Sequence, residues 1–595
     1  MKKTTVVVLD SKVEESLKQL RDTGVMHLNI TPRGNKQIAE IHKKRFILEN
    51  SLAVLADHET DHISPGSTDI GSIMETAYMI HELGSRQFTC NEELLVVERE
   101  IHRLSPWGDF KFHDLKVLKG KGIDIRLYEL TPEQFNKIPR NKLFFIIHRE
   151  RTVIRVAVIF TGENNEDIPF EQVSLPEQSL SQLNSERENT IREIRSIQLE
   201  LKRLSTHKSE LKYAMKEIDA ELEFEHAVAA MSKEGEIAYL TGYVPENKIA
   251  AVKTAASKNS WGLVIDDPSG DDPVPTLIEN PKWVNAISPV FKLLGTIPGY
   301  REFDISLWFM VFFSIFWAMI IGDAGYGILF LIMSIIGRIK FKNASFEPFL
   351  LLYITSITTI IWGAITGTWF GSEALSRQGA LSWMIIPSIS SFAGPNSGTE
   401  KILMNLCFAL GTLHLSIAHL LNFFRMLPSL KAYSEIGRLS LIWALYFLTR
   451  RLVLNHELHP VTIWLLFGGL GLIIIFSEQK GRFFKGILDS FAGMFVITLN
   501  SISFFSDIIS YVRLFAVGLA SLEVAKSFNT MAMSLGSGFF AVIGSVLILF
   551  LGHCLNITLS AMSLIVHGVR LNMLEFSGHL NMGWSGTEYK PFKKE

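Results

Sequence analysis

The sequence predicts an α-rich, multi-domain chain: a cytoplasmic antiparallel coiled coil carrying two α/β lobes, followed by a polytopic membrane domain of eight helices. The last two of these are long and tilted. Three observations lead there. Lys, Arg, Glu and Asp are concentrated before about residue 290, apolar runs of membrane-span length fill most of 305–580, and a near-heptad apolar spacing recurs twice in the first half. A mean hydropathy of +0.23 over 595 residues with a formal charge of −2 is too apolar for an ordinary cytosolic enzyme, and so balanced a charge suggests no nucleic-acid partner.

Residues 1–290 read as the cytoplasmic domain. The opening TVVVLD, the helical VEESLKQLRDTG and then VMHLNI, with EIAYLTGYVPENKIAAVKTAASKN later, predict a βαβ-like proximal lobe over 1–34 and 230–290. Ile38, Ile41, Leu48, Leu52 and Leu55 mark one coiled-coil arm, about 35–105; Ile191, Ile194, Leu201, Leu204, Leu211, Met215, Ile218 and Leu222 mark the other, about 178–229. Two arms in one chain with a lobe between them favour an internal hairpin over a dimer. LKVLKGKGIDIRLYEL and KLFFIIHRERTVIRVAVIFTG predict the strands of a distal α/β lobe, about 106–177. MKKTTVVVLDSK lacks the apolar core of a secretory signal because Asp10 ends its short run, which keeps this half in the cytoplasm. Cys90, Cys407 and Cys554 are far apart, so neither a disulfide framework nor a metal site is expected. No Walker or dinucleotide motif occurs, and KGKGIDIR lacks the required spacing and Ser/Thr, so no cofactor is expected.

Residues 291–595 read as the membrane domain, with spans at about 304–322, 324–340, 348–368, 401–424, 437–455, 460–477, 490–533 and 537–577. Positive charge tests the orientation. With the first half inside, the joints Arg338–Lys342, Arg425–Arg438 and Lys480–Lys485 and the tail Lys590–Lys594 are all basic and inside. The outer joints 322–324 and SLGSG (534–538) carry none, 371–400 carries little, and Arg450 and Arg451 are the exception. A multi-pass chain in the cell membrane with both termini cytoplasmic leaves the fewest misfits. A helix over 537–577 would measure roughly 60 Å against a hydrocarbon core of about 30 Å, so it must tilt, bend or project.

In that last span His553, Asn556, Ser560, Ser563, His567 and Arg570 follow at spacings of 3, 4, 3, 4 and 3, which places all six on one face. Such a stripe faces another helix or an aqueous cavity, serving either as interhelical hydrogen-bonding glue or as an ion path. In the preceding span Ser506, Ser510 and Arg513 share a face continued by Ala516, Ala520 and Glu523. An arginine at mid-membrane costs at least about 2.5–3.5 kcal/mol, and Arg513 is too far from either end of its helix to snorkel readily; Arg570 is nearer an end, where snorkelling and an interior role are both open. A guanidinium cannot shuttle protons, but it favours the ionised form of a nearby carboxylate and repels cations. Asp507 lies off the face of Arg513 and Glu523 is spaced to pair with Lys526, so the matching carboxylate is expected on a partner subunit.

SDIISYVRLFAVGLA (506–520) and SAMSLIVHGVRLNMLEF (560–576) resemble the paired arginine helices of the membrane stator subunit, subunit a or I, of rotary V/A-type ATPases. MIIGDAGYG (319–327), TGTWFG (366–371), GYVPE (242–246) and LSPWGDF (104–110) are similar to further marks of that family. The resemblance implies a rotor ring of small membrane subunits, each with an ion-binding carboxylate that exchanges H⁺ or Na⁺ through two half-channels, with Arg513 and Arg570 matching the family's arginines and Arg513 the essential one. His567 and Ser563 match polar positions beside the second arginine. Ser560 stands where eukaryotic relatives carry a carboxylate, so a carboxylate-lined exit is not implied. Asp323 reads as a turn or helix-end residue before a channel residue. The resemblance further implies peripheral stalk subunits on the cytoplasmic domain, a catalytic sector in other chains and no catalytic site here. The alternatives are a self-contained secondary transporter or channel with a cytoplasmic regulatory domain, which would show an inverted repeat and a midplane carboxylate of its own, and a membrane sensor signalling through its coiled coil.

Overall fold

In the computed structural model the chain begins with β1 (Lys2–Leu9), α1 (Val13–Thr23) and β2 (His27–Leu28), then α2 (Lys36–Val54) and α3 (Ile70–Leu104). Strands β3 (Ile123–Leu130), β4 (Leu143–Arg149) and β5 (Ile154–Thr161) follow, then α4 (Leu180–Leu204) and α5 (Lys208–Ala230), and last β6 (Ser232–Glu234), β7 (Ile237–Val244), α6 (Ile249–Asn259) and β8 (Gly262–Asp266). The structure describes all residues except 31–33, 57–68, 139–141, 162–167, 174–177, 393–397, 480–482, 537 and 594–595. Lys480 and Arg482 of one predicted basic joint, Ser537 of SLGSG, Lys594 of the tail, and parts of the first arm and distal lobe therefore lie outside the described residues.

The chain divides into two compact units, Lys2–Asp266 with Pro591–Glu595, and Asp267–Lys590 with Met1. The expected boundary near 290 lies inside the second unit, where Thr276 N donates to the Thr587 carbonyl at 2.8 Å.

β1 buries Thr4, Val6 and Val8 at alternate positions, the period of a strand with one face on a core. Its neighbours are β7 and β8, both antiparallel, and the sheet order is β2-β7-β1-β8 with β6 also on β7. The expected βαβ pattern is present in split form. β7 lies between the parallel β1 and β2, and β1 between the parallel β7 and β8, a ferredoxin-like interleaving. The insertion follows from long-range pairing, which no local pattern specifies. Val6, Val8, Leu17, Leu20 and Met26 form the core together with Phe592.

α2 runs antiparallel to α5, with Arg45 Nε 2.8 Å from Asp219 Oδ1 and Lys208 Nζ donating to the Leu55 carbonyl at 3.2 Å. α3 meets α4 through Arg86 Nε and Glu193 Oε1 at 2.7 Å. These exposed pairs contribute little. The bundle is held by Ile41, Leu48, Ile80, Leu201, Leu211 and Ile218, all buried. In the distal lobe the order is β3-β5-β4; β5 buries Ile154, Val156, Val158 and Phe160, whereas the edge strand β4 exposes Leu143, Phe145, Ile146 and Ile147.

The second unit has a helix at each of the eight apolar segments: α7 (Ser306–Ile321), α8 (Ala324–Lys340), α9 (Glu347–Thr366), α10 (Thr399–Met426), α11 (Ala432–Leu454), α12 (Val461–Phe476), α13 (Met494–Ser534) and α14 (Phe539–His579). Four of them, α9, α10, α13 and α14, are long and apolar enough to cross a bilayer; α7 and α12 are shorter apolar helices. α13 and α14 have 41 residues each.

Leu201→Ala, in a fully buried position, should cost about 2–5 kcal/mol of first-unit stability, read as a lower denaturation midpoint. Glu225 is held above the usual carboxylate range by burial and by the neighbouring Glu14 and Glu221. Its folded-state pKa being raised, ionising it opposes folding, and that penalty grows as pH rises through the shifted range. Glu225→Gln should therefore raise the melting midpoint at pH 7 and lose that advantage in acid.

Candidate functional site

The centre of the second unit is a break in α13. At Tyr511 the α-helical ladder is replaced by three-residue spacing: Tyr511 N donates to the Ile508 carbonyl at 3.3 Å and Leu514 N to the Tyr511 carbonyl at 3.1 Å. The Ser510 carbonyl thereby loses its usual partner, and Arg513 Nε takes it at 2.9 Å. Ser510 Oγ donates to the Asp507 carbonyl at 2.6 Å, so its hydroxyl is directed back along the helix. Tyr511 is fully buried, its hydroxyl 2.9 Å from His414 Nδ1, and the His414 ring is sandwiched between Phe312 and Phe576 at centroid distances of 3.9 and 4.2 Å. Gly411 permits this approach, because a Cβ there would stand 2.5 Å from the Tyr511 ring.

Arg513 finds its carboxylate within the chain. Nη2 lies 2.6 Å from Glu575 Oε1, and Arg570 Nε is 3.5 Å from the same oxygen. The carboxylate expected on a partner subunit thus has a counterpart in this chain: Asp507 and Glu523 pair elsewhere, with His579 and Lys526, and Glu575 takes the place beside Arg513. The reason is local geometry. Leu564–Gly568 and Leu571–Phe576 are π-helical, with Val569 N donating to the Leu564 carbonyl and Ser577 N to that of Asn572, five residues back. On a regular α-helix a residue five positions after Arg570 points about 140° away from it; wider turns bring Glu575 round toward the arginines.

The polar stripe divides in two. His553 Nδ1 is 2.7 Å from the Tyr326 hydroxyl and its Nε2 3.3 Å from Asn529 Oδ1. Asn556 Nδ2 donates to the Tyr326 hydroxyl at 3.0 Å and to the Ser521 carbonyl at 2.9 Å, and Ser560 Oγ to Ser521 Oγ at 3.1 Å. This half bonds α14 to α8 and α13. Toward the other end Ser563 and His567 are half-buried and Arg570 is exposed, with His567 Nδ1 buried and without a partner among the described residues. Glu523 pairs with Lys526 at 2.8 Å, as their spacing predicts.

Asp323 caps α8. Its Oδ1 accepts from the backbone of Gly325, Tyr326 and Phe370 at 2.8, 3.3 and 2.9 Å, and Oδ2 from Gly371 at 2.9 Å. Two sequence marks, GDAGYG and TGTWFG, are thus tied together by one buried carboxylate. A relay that no local spacing signals runs from Asp507 Oδ2 to His579 Nε2 at 3.1 Å, His579 Nδ1 to His419 Nε2 at 2.8 Å and His419 Nδ1 to Glu435 Oε2 at 2.7 Å, with Arg438 on the other Glu435 oxygen; the two histidines and Glu435 are buried. The visible signal was two histidines, His414 and His419, inside the apolar run of α10.

Two cavities of mixed polar and apolar lining flank the break. One, of about 390 Å³, is lined by the start of α10 (Thr399, Glu400, Lys401), by Asp323 and Tyr326, and by α13 from Leu514 to Lys526. The other, of about 430 Å³, lies at the opposite end of the antiparallel α10–α11 hairpin, lined by Arg438, Glu478, Asp489 and Ser490 and by α13 from Val496 to Phe504. Residues 505–513, including Tyr511 and Arg513, line neither.

No family model matches the chain. It is 34% identical to the V-type ATP synthase subunit I of Borreliella burgdorferi, over 100% of this chain and 99% of that protein. Against V-type ATP synthase subunit I 1 of Treponema pallidum the identity is 32%, with the same coverage. The A-type ATP synthase subunit I of Methanocaldococcus jannaschii is 24% identical over 72% of this chain and 64% of its own. Among solved structures, the cytoplasmic N-terminal domain of subunit I, homolog of subunit a, of V-ATPase is 15% identical and covers 44% of this chain and all of its own, with a TM-score of 0.23. With a third of its residues identical to a relative matched from end to end, the chain belongs to the V/A-type ATP synthase subunit I family.

Proposed function

We propose that this chain is the membrane stator of a rotary V/A-type ATPase, conducting H⁺ or Na⁺ past a ring of small subunits that carry the ion-binding carboxylates. The observation that carries the reading is the pair of cavities, which reach α13 at Val496–Phe504 and Leu514–Lys526 and leave Arg513 between them. Each cavity serves as a half-channel. Arg513, permanently charged, repels an ion that would cross directly and favours the ionised form of a rotor carboxylate passing it, so an ion moves only with the ring.

Other residues take roles by position. Arg570, His567 and Ser563 form the rotor-facing polar surface beside Arg513. His553, Asn556 and Ser560 stand behind the first cavity through Tyr326 and Ser521, Glu523 lines it, and Ser510 supports the break. α7–α14 cross the bilayer eight times with both termini cytoplasmic. Residues 2–266 form a cytoplasmic strut whose two arms resist torque, and the exposed apolar edge strand β4 offers its outer side to a peripheral stalk subunit. ATP is made or hydrolysed in other subunits, and this one has no catalytic site.

In the intact complex reconstituted in liposomes, Arg513→Gln should leave assembly unchanged and abolish ATP-driven ion uptake. Retained uptake would refute the gate, and transport by the isolated chain would favour a self-contained transporter.

A further inference from the structure

Glu575 is only 6% exposed, yet it faces two guanidiniums. Both arginines address one oxygen, Oε1, while Oε2 is buried without a hydrogen-bond partner among the described residues. The residue is held firmly: the next ring, Phe576, is stacked on His414, and Asn572 in the same π-helical segment is fully buried and donates to the Gly568 carbonyl at 3.1 Å. A carboxylate so placed reduces two positive charges to a net one and supplies Arg513 with a partner of the same chemistry as a rotor carboxylate.

The energetics give that partner a purpose. An ion pair made between otherwise unpaired groups in a low-dielectric site is costly to break, on the order of 3–5 kcal/mol when one member is removed. A gate that had to break such a pair at every step would hold the ring fast. If Arg513 instead exchanges one carboxylate for another, most of the cost on leaving the rotor is returned by the resident pair.

We propose that Glu575 is the resident counter-ion of Arg513, displaced by each rotor carboxylate and re-engaged when it departs, with Arg570, already 3.5 Å from Oε1, holding Glu575 in the interval. Glu575 is a positioning residue, acting through Arg513. The inference rests on the stator reading above but not on which ion is carried.

The test uses the full complex in liposomes and two variants whose size and charge separate the explanations. E575Q keeps the shape and removes the charge; E575D keeps the charge and shortens the side chain by one methylene. The exchange role predicts that assembled E575Q complexes lose ATP-driven pumping and coupled hydrolysis by more than about tenfold, while E575D stays within about threefold of the parent chain. A packing role predicts the reverse order. E575Q within about twofold of the parent overturns the inference. Should E575Q fail to assemble, E575D decides: assembled complexes within about threefold support it, and a loss beyond about tenfold overturns it. Arg513→Gln run alongside keeps the two readings apart. If that variant pumps, the gate itself fails; if it does not pump and E575Q does, only the role of Glu575 fails.

Discussion

A permanent positive charge inside an apolar helix bundle has to be paired, and the middle of this molecule is arranged around that requirement. Arg513 cannot relieve the cost by losing its proton. It is relieved by two acceptors, the Ser510 carbonyl freed by the break at Tyr511 and the carboxylate of Glu575. Each acceptor exists because a helix departs from regular α geometry, α13 by tightening to three-residue spacing and α14 by widening to π turns. Two opposite irregularities thus converge on one side chain.

The surroundings hold those irregularities in place. Tyr511 is locked by His414, which is itself clamped by Phe312 on α7 and Phe576 next to Glu575, so the break in α13 and the wide turn in α14 share one aromatic stack. Farther out, Asp323 ties α8 to the loop after α9 through four backbone N–H groups, and Tyr326 on that same helix accepts Asn556. The upper half of the α14 stripe is therefore a bonded seam, which leaves Ser563, His567 and Arg570 as its open end.

Much of this was legible in the sequence because it follows from composition and simple periods. Apolar runs located α7–α14, short strand-prone runs bounded by turn residues located β1 and β5, and a 3-4 spacing put the six stripe residues on one face. Arg513 announced itself as a charge in the wrong solvent. What could not be read depends on departures from those periods. Glu575 is out of phase with Arg570 on an ideal helix, and only π turns bring the two together. Likewise, the insertion of β7 between β1 and β2 and the links from Asp507 to His579 and from His579 to His419 join residues 72 or more positions apart, where no local spacing signals contact.

If Arg513 divides one helix between two separate aqueous spaces, the stretches of α13 before and after it are reached from opposite sides of the membrane. The most direct measurement is the reactivity of single cysteines placed along α13 toward a water-soluble, membrane-impermeant thiol reagent added from one side and then the other, in a chain whose Cys90, Cys407 and Cys554 have been replaced. Positions lining the second cavity, such as 497, 500 and 501, are expected to react only from the cytoplasmic side and 519 and 522 only from the opposite side, with protection between 505 and 513. Reaction of positions on both sides of Arg513 with reagent from a single side would contradict it.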